Sequence, residues 1–313
     1  MKYFHGNTEK NGYFEGWYFK HRSKDLIIGI IAAYHIDLQG RKKASVQVIT
    51  KDQSFIVWYP GSEFYASEDR LFVQIGNNIF YEHGCRLNIN TLANPVCIYD
   101  QSSTEQGLYL KGNLWYGNFR PLAYDIMGPF QYMPGMQCRH GVISMAHTVA
   151  GSLTMNGQHM DFKRGTGYIE TDRGCTFPEK YMWLQCEEMD TLPFSIMAAV
   201  AAVPAGKLHF TGCICAISYR GSQYRLATYR NVRIHQCDDR ILWLSQGRYT
   251  LLIQLDEYNK SHTLPLRAPV SGCMSRSIKE CMTGKARFRF WENKKLLFDI
   301  ASSHVSIENM GSF

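Results

Sequence analysis

Carboxyl groups in aromatic surroundings are the residues of this chain best suited to acid chemistry. The candidates are Glu15, Asp161 and Glu170, each with aromatic residues nearby in the sequence. A carboxyl group buried among apolar side chains has a raised pKa and can keep its proton near neutral pH, so it can act as a general acid. Each also has a structural interpretation. Glu15 would pair with Lys20 or with an arginine across the sheet, and Asp161 would be a solvated residue after a tight turn.

Two histidines are candidates to assist such an acid. His140 and His147 are seven residues apart, so on one extended strand they would face opposite sides, which argues against a shared metal. We place His140 in the catalytic set and His147 in the ligand-binding set, and a hydrogen-bonded core histidine is the competing interpretation of both. Asp172 lies beside Arg173 and Gly174, and we interpret it as a turn residue.

Familiar cofactor and nucleophile motifs do not fit this chain. Gly165-x-Gly167 lacks a third glycine and a following helix, so it is no phosphate loop and more plausibly marks a bulge or a close approach of the backbone to a ligand. Ser144 lacks the G-x-S-x-G surroundings of a hydrolase nucleophile. The ten cysteines contain no C-x-x-C pair and fit no zinc pattern. We therefore predict neither a metal nor a cofactor.

The segment from Tyr124 to Gln185 concentrates aromatic, titratable and turn-forming residues, and we interpret it as the floor and wall of a binding site. It contains a loop rich in proline, glycine and methionine, and a hairpin at Asn156-Gly157. Methionines are soft, adaptable lining for an apolar pocket. With two aromatic residues from the first strand, the predicted ligand-binding set is Trp17, Tyr18, Phe130, Tyr132, Met133, Met136, His147, Tyr168, Trp183 and Gln185.

Bulk composition limits the function classes. The chain has 313 residues and a net charge of +7 that is spread out, so a nucleic-acid-binding face is not expected. A peripheral membrane contact stays open. The many cysteines without a pairing pattern suggest a reducing compartment. The longest apolar run, Phe194 to Val203, is about half of the ~20 residues that a membrane span needs. The start is not a signal peptide, so we expect a soluble cytoplasmic protein.

Short β-branched or aromatic runs bounded by turn residues predict an all-β protein. About eight such runs precede residue 120, one of them Val96 to Asp100, and eight strands can close a barrel around one small ligand. Asn118 to Met136 reads as a linker between two bodies. We predict two antiparallel β-barrels in tandem, residues 1–125 and 126–313, with one short helix at Ser275 to Met282.

Several of these motifs together resemble the tocopherol cyclase family. Phe14 to Lys20, reading FEGWYFK, is similar to the N-terminal signature of that family. A second set of motifs, in the middle of the chain, resembles the central signature of the family. In order, these motifs are Met133-Pro134-Gly135-Met136, His140-Gly141, Gly165-x-Gly167-Tyr168-Ile169-Glu170, x-Asp172-x-Gly174, Phe177-Pro178 and Tyr181-x-Trp183-x-Gln185. In the last third only Ala268-Pro269 to Arg276 looks similar. The resemblance implies a pair of lipocalin-like barrels.

The resemblance also implies a reaction: protonation of an alkene in a prenylated hydroquinone, followed by capture of the tertiary cation by the phenol oxygen. Such chemistry needs a protonated carboxyl, aromatic rings that face the cation, and a deep apolar pocket. The expected partner is therefore a hydrophobic small molecule, a prenylated phenol or another isoprenoid lipid. A carrier that binds the lipid unchanged is the main alternative, and a hydratase or oxidoreductase of isoprenoids is a third.

Overall fold

The structure is a computed structural model that describes residues 2–9, 11–91, 107–189, 193–205, 208–311 and 313. Its twelve-stranded first sheet contains β1 (Tyr13–Ser23), β2 (Leu26–Ile36), β3 (Lys42–Thr50), β4 (Ser54–Pro60), β5 (Phe64–Ala66), β6 (Phe72–Ile75), β7 (Asn78–Tyr81), β8 (Gly84–Asn90), β9 (Tyr109–Tyr116), β10 (Cys138–Met155), β11 (Gln158–Asp161) and β12 (Gly165–Gly174). Its ten-stranded second sheet contains β13 (Tyr181–Glu188), β14 (Phe194–Ala205), β15 (Leu208–Tyr219), β16 (Ser222–Ala227), β17 (Arg233–Cys237), β18 (Ile241–Gln246), β19 (Tyr249–Leu255), β20 (Leu264–Val270), β21 (Cys273–Glu292) and β22 (Lys295–Asn309).

Helix is scarce in the described part of the chain. The α-helix α1 spans Tyr258–Ser261, and short 3-10 turns span Gly61–Glu63, Gly128–Tyr132 and Thr228–Arg230. All strand pairs are antiparallel. The prediction of two lipocalin-like antiparallel barrels with little helix is confirmed. Within the described ranges, no helix combines the length and the apolar character needed to cross a bilayer.

Strand order explains how the two barrels meet. The first sheet runs β4-β3-β2-β1-β12-β10-β9-β8-β7-β6-β5, and the second runs β16-β15-β14-β13-β22-β21-β19-β18-β17. The central strands β1 and β12 of the first sheet and β13 of the second are buried on both faces over much of their length, and β22 is buried on both faces at residues 305–307. Along each of these strands, side chains point alternately into the strand's own barrel and toward the other barrel. A cavity lies where the two outward faces meet.

Four apolar cores follow from this alternation. One fills the first barrel and includes Trp17 and Phe19, and a second fills the other barrel and includes Phe288 and Phe290. A third core lies between the barrels and draws side chains such as Tyr18 from both. A smaller fourth core joins side chains of β2 and β3 to side chains of β20 and β21. Burying apolar side chains at about 25 cal/mol per Å² makes such cores the main stabilising term of a domain of this kind. The interface between the barrels is therefore a true core and not a loose contact.

Several local predictions were wrong. Ser275 to Met282 lies inside strand β21, where burial alternates with a period of two as far as Glu280. Strand β20 provides backbone partners up to Glu280, and β22 provides them from Glu280 onward. These neighbouring strands satisfy the backbone groups of the segment, so tertiary pairing overrides the local signal. Asp172 also lies in a strand, β12, and not in a turn. The predicted strand Val96 to Asp100 lies outside the described residues.

The segment predicted to link two bodies does not do so. After β9, the chain stays beside β10 as far as residue 120. Residues 122–130 then pack on the second sheet, where Tyr124 Oη donates to Tyr224 O and Tyr229 Oη donates to Ile126 O. The chain then returns to the first sheet as β10, which pairs with both β9 and β12. The division between the sheets falls between Gly174 and Tyr181, so it does not coincide with the predicted boundary at 125/126.

Candidate functional site

A cavity of about 180 Å³ lies between the two barrels and is partly open to solvent. Small residues create the space: Gly16 faces Ala33 in the first sheet, and Ala201 faces Gly212 in the second. The remaining lining is mostly apolar and aromatic. It includes Phe14, Tyr18, Ile31, Met127, Phe130, Met136, Phe177, Tyr181, Trp183, Ala199, Val203 and Ile214. Shape and lining suit an apolar ligand.

Glu170 is the carboxyl best placed in this cavity. It sits on β12 and is only 5% exposed, although it lines the cavity. Its Oε2 atom accepts hydrogen bonds from Tyr168 Oη at 2.6 Å and from Trp183 Nε1 at 3.2 Å. No donor among the described residues reaches Oε1. One oxygen is thus fixed by the protein and the other is open to a ligand.

His140 and Asp172 complete a charged group beside Glu170. His140 Nδ1 lies 3.0 Å from Asp172 Oδ1, and its Nε2 lies 3.5 Å from Glu170 Oε2. Burial alone would lower the pKa of His140, but the two carboxylates raise that pKa to about 9, so the imidazole is a cation at neutral pH. The ion pair of His140 with Asp172 places a positive charge next to the buried acid.

The pKa of Glu170 is raised to about 7. Burial is the main cause, because a carboxylate loses its hydration there, and the charge of Asp172 adds to the rise. The imidazolium of His140 and the hydrogen bonds from Tyr168 and Trp183 act in the opposite direction. A substantial fraction of Glu170 therefore carries its proton at neutral pH, and the conjugate carboxylate has three stabilising neighbours.

The sequence analysis missed two further carboxyls, Glu280 and Glu308. Glu308 lines the cavity, and its Oε2 accepts a hydrogen bond from Tyr181 Oη at 2.5 Å. Glu280 is fully buried and accepts a hydrogen bond from Tyr18 Oη at 2.7 Å. Both lie in β21 and β22, where the sequence predicted a helix or gave only a generic strand. The sequence signal for such a residue is a glutamate that occupies a buried-face position in a strand of alternating polar and apolar residues.

Next to the cavity, a buried cluster joins the barrels by charge. Lys20 Nζ lies 3.2 Å from Glu187 Oε2 and donates to Gln185 Oε1 at 2.9 Å. Arg22 Nη2 pairs with Glu188 Oε2 at 3.2 Å. Gln185, predicted to bind a ligand, is thus engaged in a contact between the barrels and does not line the cavity. Buried ion pairs of this kind fix geometry, and breaking one by removing a partner is costly.

The other acid candidates lie elsewhere. Glu15 points into the first barrel, where its Oε2 accepts from Tyr13 Oη at 2.7 Å and its Oε1 contacts His5 Nδ1 at 2.9 Å. Asp161 is exposed on the edge strand β11 and accepts a hydrogen bond from the backbone of Lys163. Neither lines the cavity. Of the four predicted catalytic residues, the structure brings together Glu170 and His140.

The predicted ligand-binding residues divide in the same way. Those that line the cavity are Tyr18, Phe130, Met136 and Trp183. Tyr168 lies directly behind them through its bond to Glu170, and Met133 packs on the core between the barrels. Tyr132 is 79% exposed, and Trp17 belongs to the core of the first barrel. His147 is buried against Tyr116 and Phe119, and its pKa is lowered to about 3 by burial.

His140, Glu170 and Asp172 also form the one cluster, within the described residues, with ligand atoms close enough to hold a metal ion, all within 4.8 Å of one another. However, the histidine approaches the two carboxylates through different ring nitrogens, and Glu170 Oε2 already accepts two hydrogen bonds. The two carboxylates thus lie at opposite nitrogens of one imidazole ring, as expected for ion pairs with an imidazolium. The geometry fits an imidazolium better than a metal ligand.

Comparisons with known proteins place this chain in a family. A family model described as tocopherol cyclase-like matches residues 123–311, which is more than half of the chain. A maize (Zea mays) protein named as a chloroplastic tocopherol cyclase is 21% identical over 182 residues. That alignment covers 54% of this chain and 38% of the maize protein, so it spans well under half of the relative.

Solved structures share the fold. An AttH candidate protein from Nitrosomonas europaea aligns with a TM-score of 0.52 at 11% identity, over 96% of this chain and 93% of that protein. Kievitone hydratase from Nectria haematococca aligns with a TM-score of 0.51 at 12% identity, over 97% of this chain and 90% of the hydratase. At such identities the likeness concerns the architecture of paired barrels.

Proposed function

This chain belongs to the tocopherol cyclase-like family, and from that premise and the cavity between its barrels we propose that it cyclises a prenylated hydroquinone or a related isoprenoid lipid. The reaction would protonate an alkene and close a ring through a hydroxyl oxygen. The substrate, its conversion and the residues involved are parts of this proposal.

The observation that carries the proposal is the asymmetric environment of Glu170. Its Oε2 is held by Tyr168 and Trp183, while Oε1 has no donor among the described residues and the side chain lines an apolar cavity. A proton on Oε1 would therefore point to bound ligand. When the proton leaves, the carboxylate is met by two hydrogen bonds and by the cation of His140, so the donors are already oriented for the charge that develops.

The lining also suits the cation formed by alkene protonation. Trp183 and Tyr18 pack edge to face with ring centroids 5.7 Å apart, and both line the cavity. Aromatic faces attract a cation more strongly where water is excluded. Apolar side chains such as Met127, Met136 and Ile31 would hold an isoprenoid tail.

A carrier of the same lipid is the alternative function. An apolar cavity between two barrels is sufficient for binding, and a carrier has no use for a protonated acid. The two functions therefore differ in one measurable event, which is the transfer of a proton to carbon.

Deuterium incorporation would test this event. Purified protein would be incubated with a methyl-substituted prenyl hydroquinone in D₂O, and products would be analysed by mass spectrometry and NMR. A cyclase gives a chroman with one deuterium on carbon, while a carrier returns the unlabelled hydroquinone. Glu170→Gln should abolish the product while ligand affinity stays within a few-fold. Asp52→Asn, at a surface position with 72% side-chain exposure, is the matched control and should match the wild type. Ligand binding without chroman from the wild type would favour the carrier.

The cellular location stays a prediction. All nine cysteines among the described residues are free thiols, and most of them are buried. Free thiols fit a reducing compartment such as the cytoplasm. The maize relative is named as chloroplastic, and a chloroplast stroma is an alternative that fractionation of the native cell would test.

A further inference from the structure

Glu280 and Glu308 are direct cross-strand neighbours. They are paired in the register of β21 and β22, and both side chains point to the first barrel, because the adjacent residue of β22, Ile307, belongs to the core of the second barrel. Directly opposed residues of an antiparallel pair have Cβ atoms about 4.5–5.5 Å apart. Two glutamates at that separation can bring their carboxyl groups into contact.

Each carboxyl has one oxygen fixed by a tyrosine. Tyr18 Oη donates to Glu280 Oε1 at 2.7 Å, and Tyr181 Oη donates to Glu308 Oε2 at 2.5 Å. The second oxygens differ. Glu280 Oε2 is buried and accepts no hydrogen bond of ordinary geometry, although the Ser306 hydroxyl is near enough to act against the rise in the pKa of Glu280. Glu308 lines the cavity, and its Oε1 has no donor among the described residues. A buried oxygen without a partner is costly unless a proton is shared there.

Electrostatics agree with proton sharing. Burial raises the pKa of Glu280 to about 7, against the opposing effects of Tyr18 and Lys20. Burial, then the charge of Glu280, raises the pKa of Glu308 well above its usual range. Two adjacent buried carboxyls cannot easily both ionise, so they titrate as one unit. The other polar groups that face the pair are Ser306, Tyr181, Glu170 and Asp172.

We propose that Glu280 and Glu308 form a proton-sharing pair, and that Glu308 accepts the proton of the attacking hydroxyl when the ring closes. This inference rests on the proposed cyclisation. Glu308 is the catalytic residue of the pair because it reaches the cavity, and Glu280 is a positioning residue that acts through it.

Protons move from Glu170 to the substrate and from the substrate to the pair. Glu170 gives its proton to one alkene carbon, and the neighbouring carbon becomes the cation. The hydroxyl oxygen forms the new C–O bond and loses its proton to Glu308 Oε1, while the proton already on Glu308 moves to the carboxylate of Glu280. The pair goes from one proton to two and Glu170 goes from protonated to ionised. Exchange of one proton with solvent restores both.

This division of roles follows from the environments of the two cavity carboxyls. Glu170 belongs to the first sheet and has a cation beside it, which stabilises its ionised form. Glu308 belongs to the second sheet and has another carboxyl beside it, which favours proton uptake. Two titratable groups with surroundings that differ in this way can serve as the acid and the base of one reaction.

Infrared titration would test the sharing without any assay of activity. The carboxylic C=O stretch of the wild type would be followed against pH and compared with Glu280→Gln and Glu308→Gln. We expect two separated proton-release steps, and the loss of either carboxyl should lower the pKa of the other. Glu68→Gln, at an exposed salt bridge, is the control and should leave both steps unchanged. Independent titration of the two carboxyls would overturn the sharing. Tyr181→Phe serves if a glutamine variant fails to fold, and it should raise the upper step.

Turnover would test the role in catalysis. Glu308→Gln should lower kcat by about 100-fold or more, as expected for loss of a general base, with KM within a few-fold. Unchanged kcat in Glu308→Gln, in a protein whose wild type makes chroman, would overturn the base assignment alone. If the wild type makes no chroman, the proposed cyclisation fails, and the titration still decides whether the pair shares its protons.

Discussion

Replacement of His140 by glutamine should raise the pKa of Glu170 and slow proton transfer from it, and a pH profile can measure these two effects separately. Glutamine keeps a polar side chain of similar reach but removes the imidazolium that lies 3.5 Å from Glu170 Oε2. The cation favours the ionised form of Glu170. Its loss should therefore raise the pKa of Glu170 above the value of about 7 found with the cation in place.

The size of this effect follows from the distance. Two unit charges 3.5 Å apart interact by about 4.7 kcal/mol at an effective dielectric constant of about 20, which corresponds to roughly 3.5 pKa units as an upper bound. Asp172 loses its partner in the same variant and becomes easier to protonate, which reduces the rise. We expect a net increase of about 2 to 3 units in the pKa of Glu170.

The assay is the pH profile of kcat/KM for chroman formation between about pH 5 and 9, since this ratio reports the groups of the free enzyme. The wild type should lose activity as pH rises through about 7, because Glu170 loses its proton. The variant should stay level to about pH 9, but its plateau should be about 10- to 100-fold lower, because a weaker acid transfers its proton more slowly.

A purely structural role for His140 would give a different result, namely a lower plateau with the alkaline limb in its original place. An alkaline limb that moves to lower pH would contradict the electrostatic reasoning, and an unchanged profile would mean that Glu170 is not the acid. Asp52→Asn again serves as the control because its carboxylate is exposed and should not alter the profile.

Three other measurements test the ion pair between the barrels, the cavity and the buried histidines. Lys20→Met leaves the buried carboxylate of Glu187 without its nearest cation and should cost about 3–5 kcal/mol of unfolding free energy in urea, with partial recovery when Glu187→Gln is added. Ala201→Phe narrows the cavity and should abolish binding of a prenyl hydroquinone in calorimetry while the thermal unfolding midpoint stays close to that of the wild type. Three buried histidines have folded-state pKa values of about 3, below their ordinary 6.5, so their stabilising contribution is lost as pH falls from 6.5 toward 3. These are His21, His35 and His147. Each should cost about 2 kcal/mol at pH 5. Carboxyls with raised pKa values offset this cost down to about pH 4.5, so urea unfolding should show the steepest loss of stability below about pH 5.

Much of the fold could be predicted from the sequence because strand signals are local. Asn156-Gly157 indicates a hairpin, and the structure has one there between β10 and β11. The failures arose where distant partners decide the outcome. Ser275 to Met282 has no strong strand signal of its own, but it pairs with β20 up to Glu280 and with β22 from Glu280 onward. The division between the sheets depends on the return of β10 to the first barrel, which no local pattern reveals.

The site was partly predictable for a related reason. Glu170 and His140 stand in a segment dense with aromatic residues, so sequence patterns point to them. Glu15 stands in equally aromatic surroundings, yet it has the opposite parity on β1 to Tyr18 and faces into the first barrel. Parity is visible in the sequence, but which face meets the second barrel is not. Glu308 lies more than one hundred residues from Glu170, and only the tertiary structure places both at one cavity.

The location of the cavity follows from how side-chain volume is distributed. Large side chains fill the interior of each barrel, with Phe19 stacked on Phe80 at 4.8 Å in the first and Phe290 stacked on Phe298 at 5.5 Å in the second. A close-packed interior leaves no room for a ligand. The outward faces instead carry small residues such as Gly16, which cannot fill the space between two curved sheets. A ligand between the barrels therefore meets side chains from both, so an acid from one sheet and a base from the other can act on the same molecule.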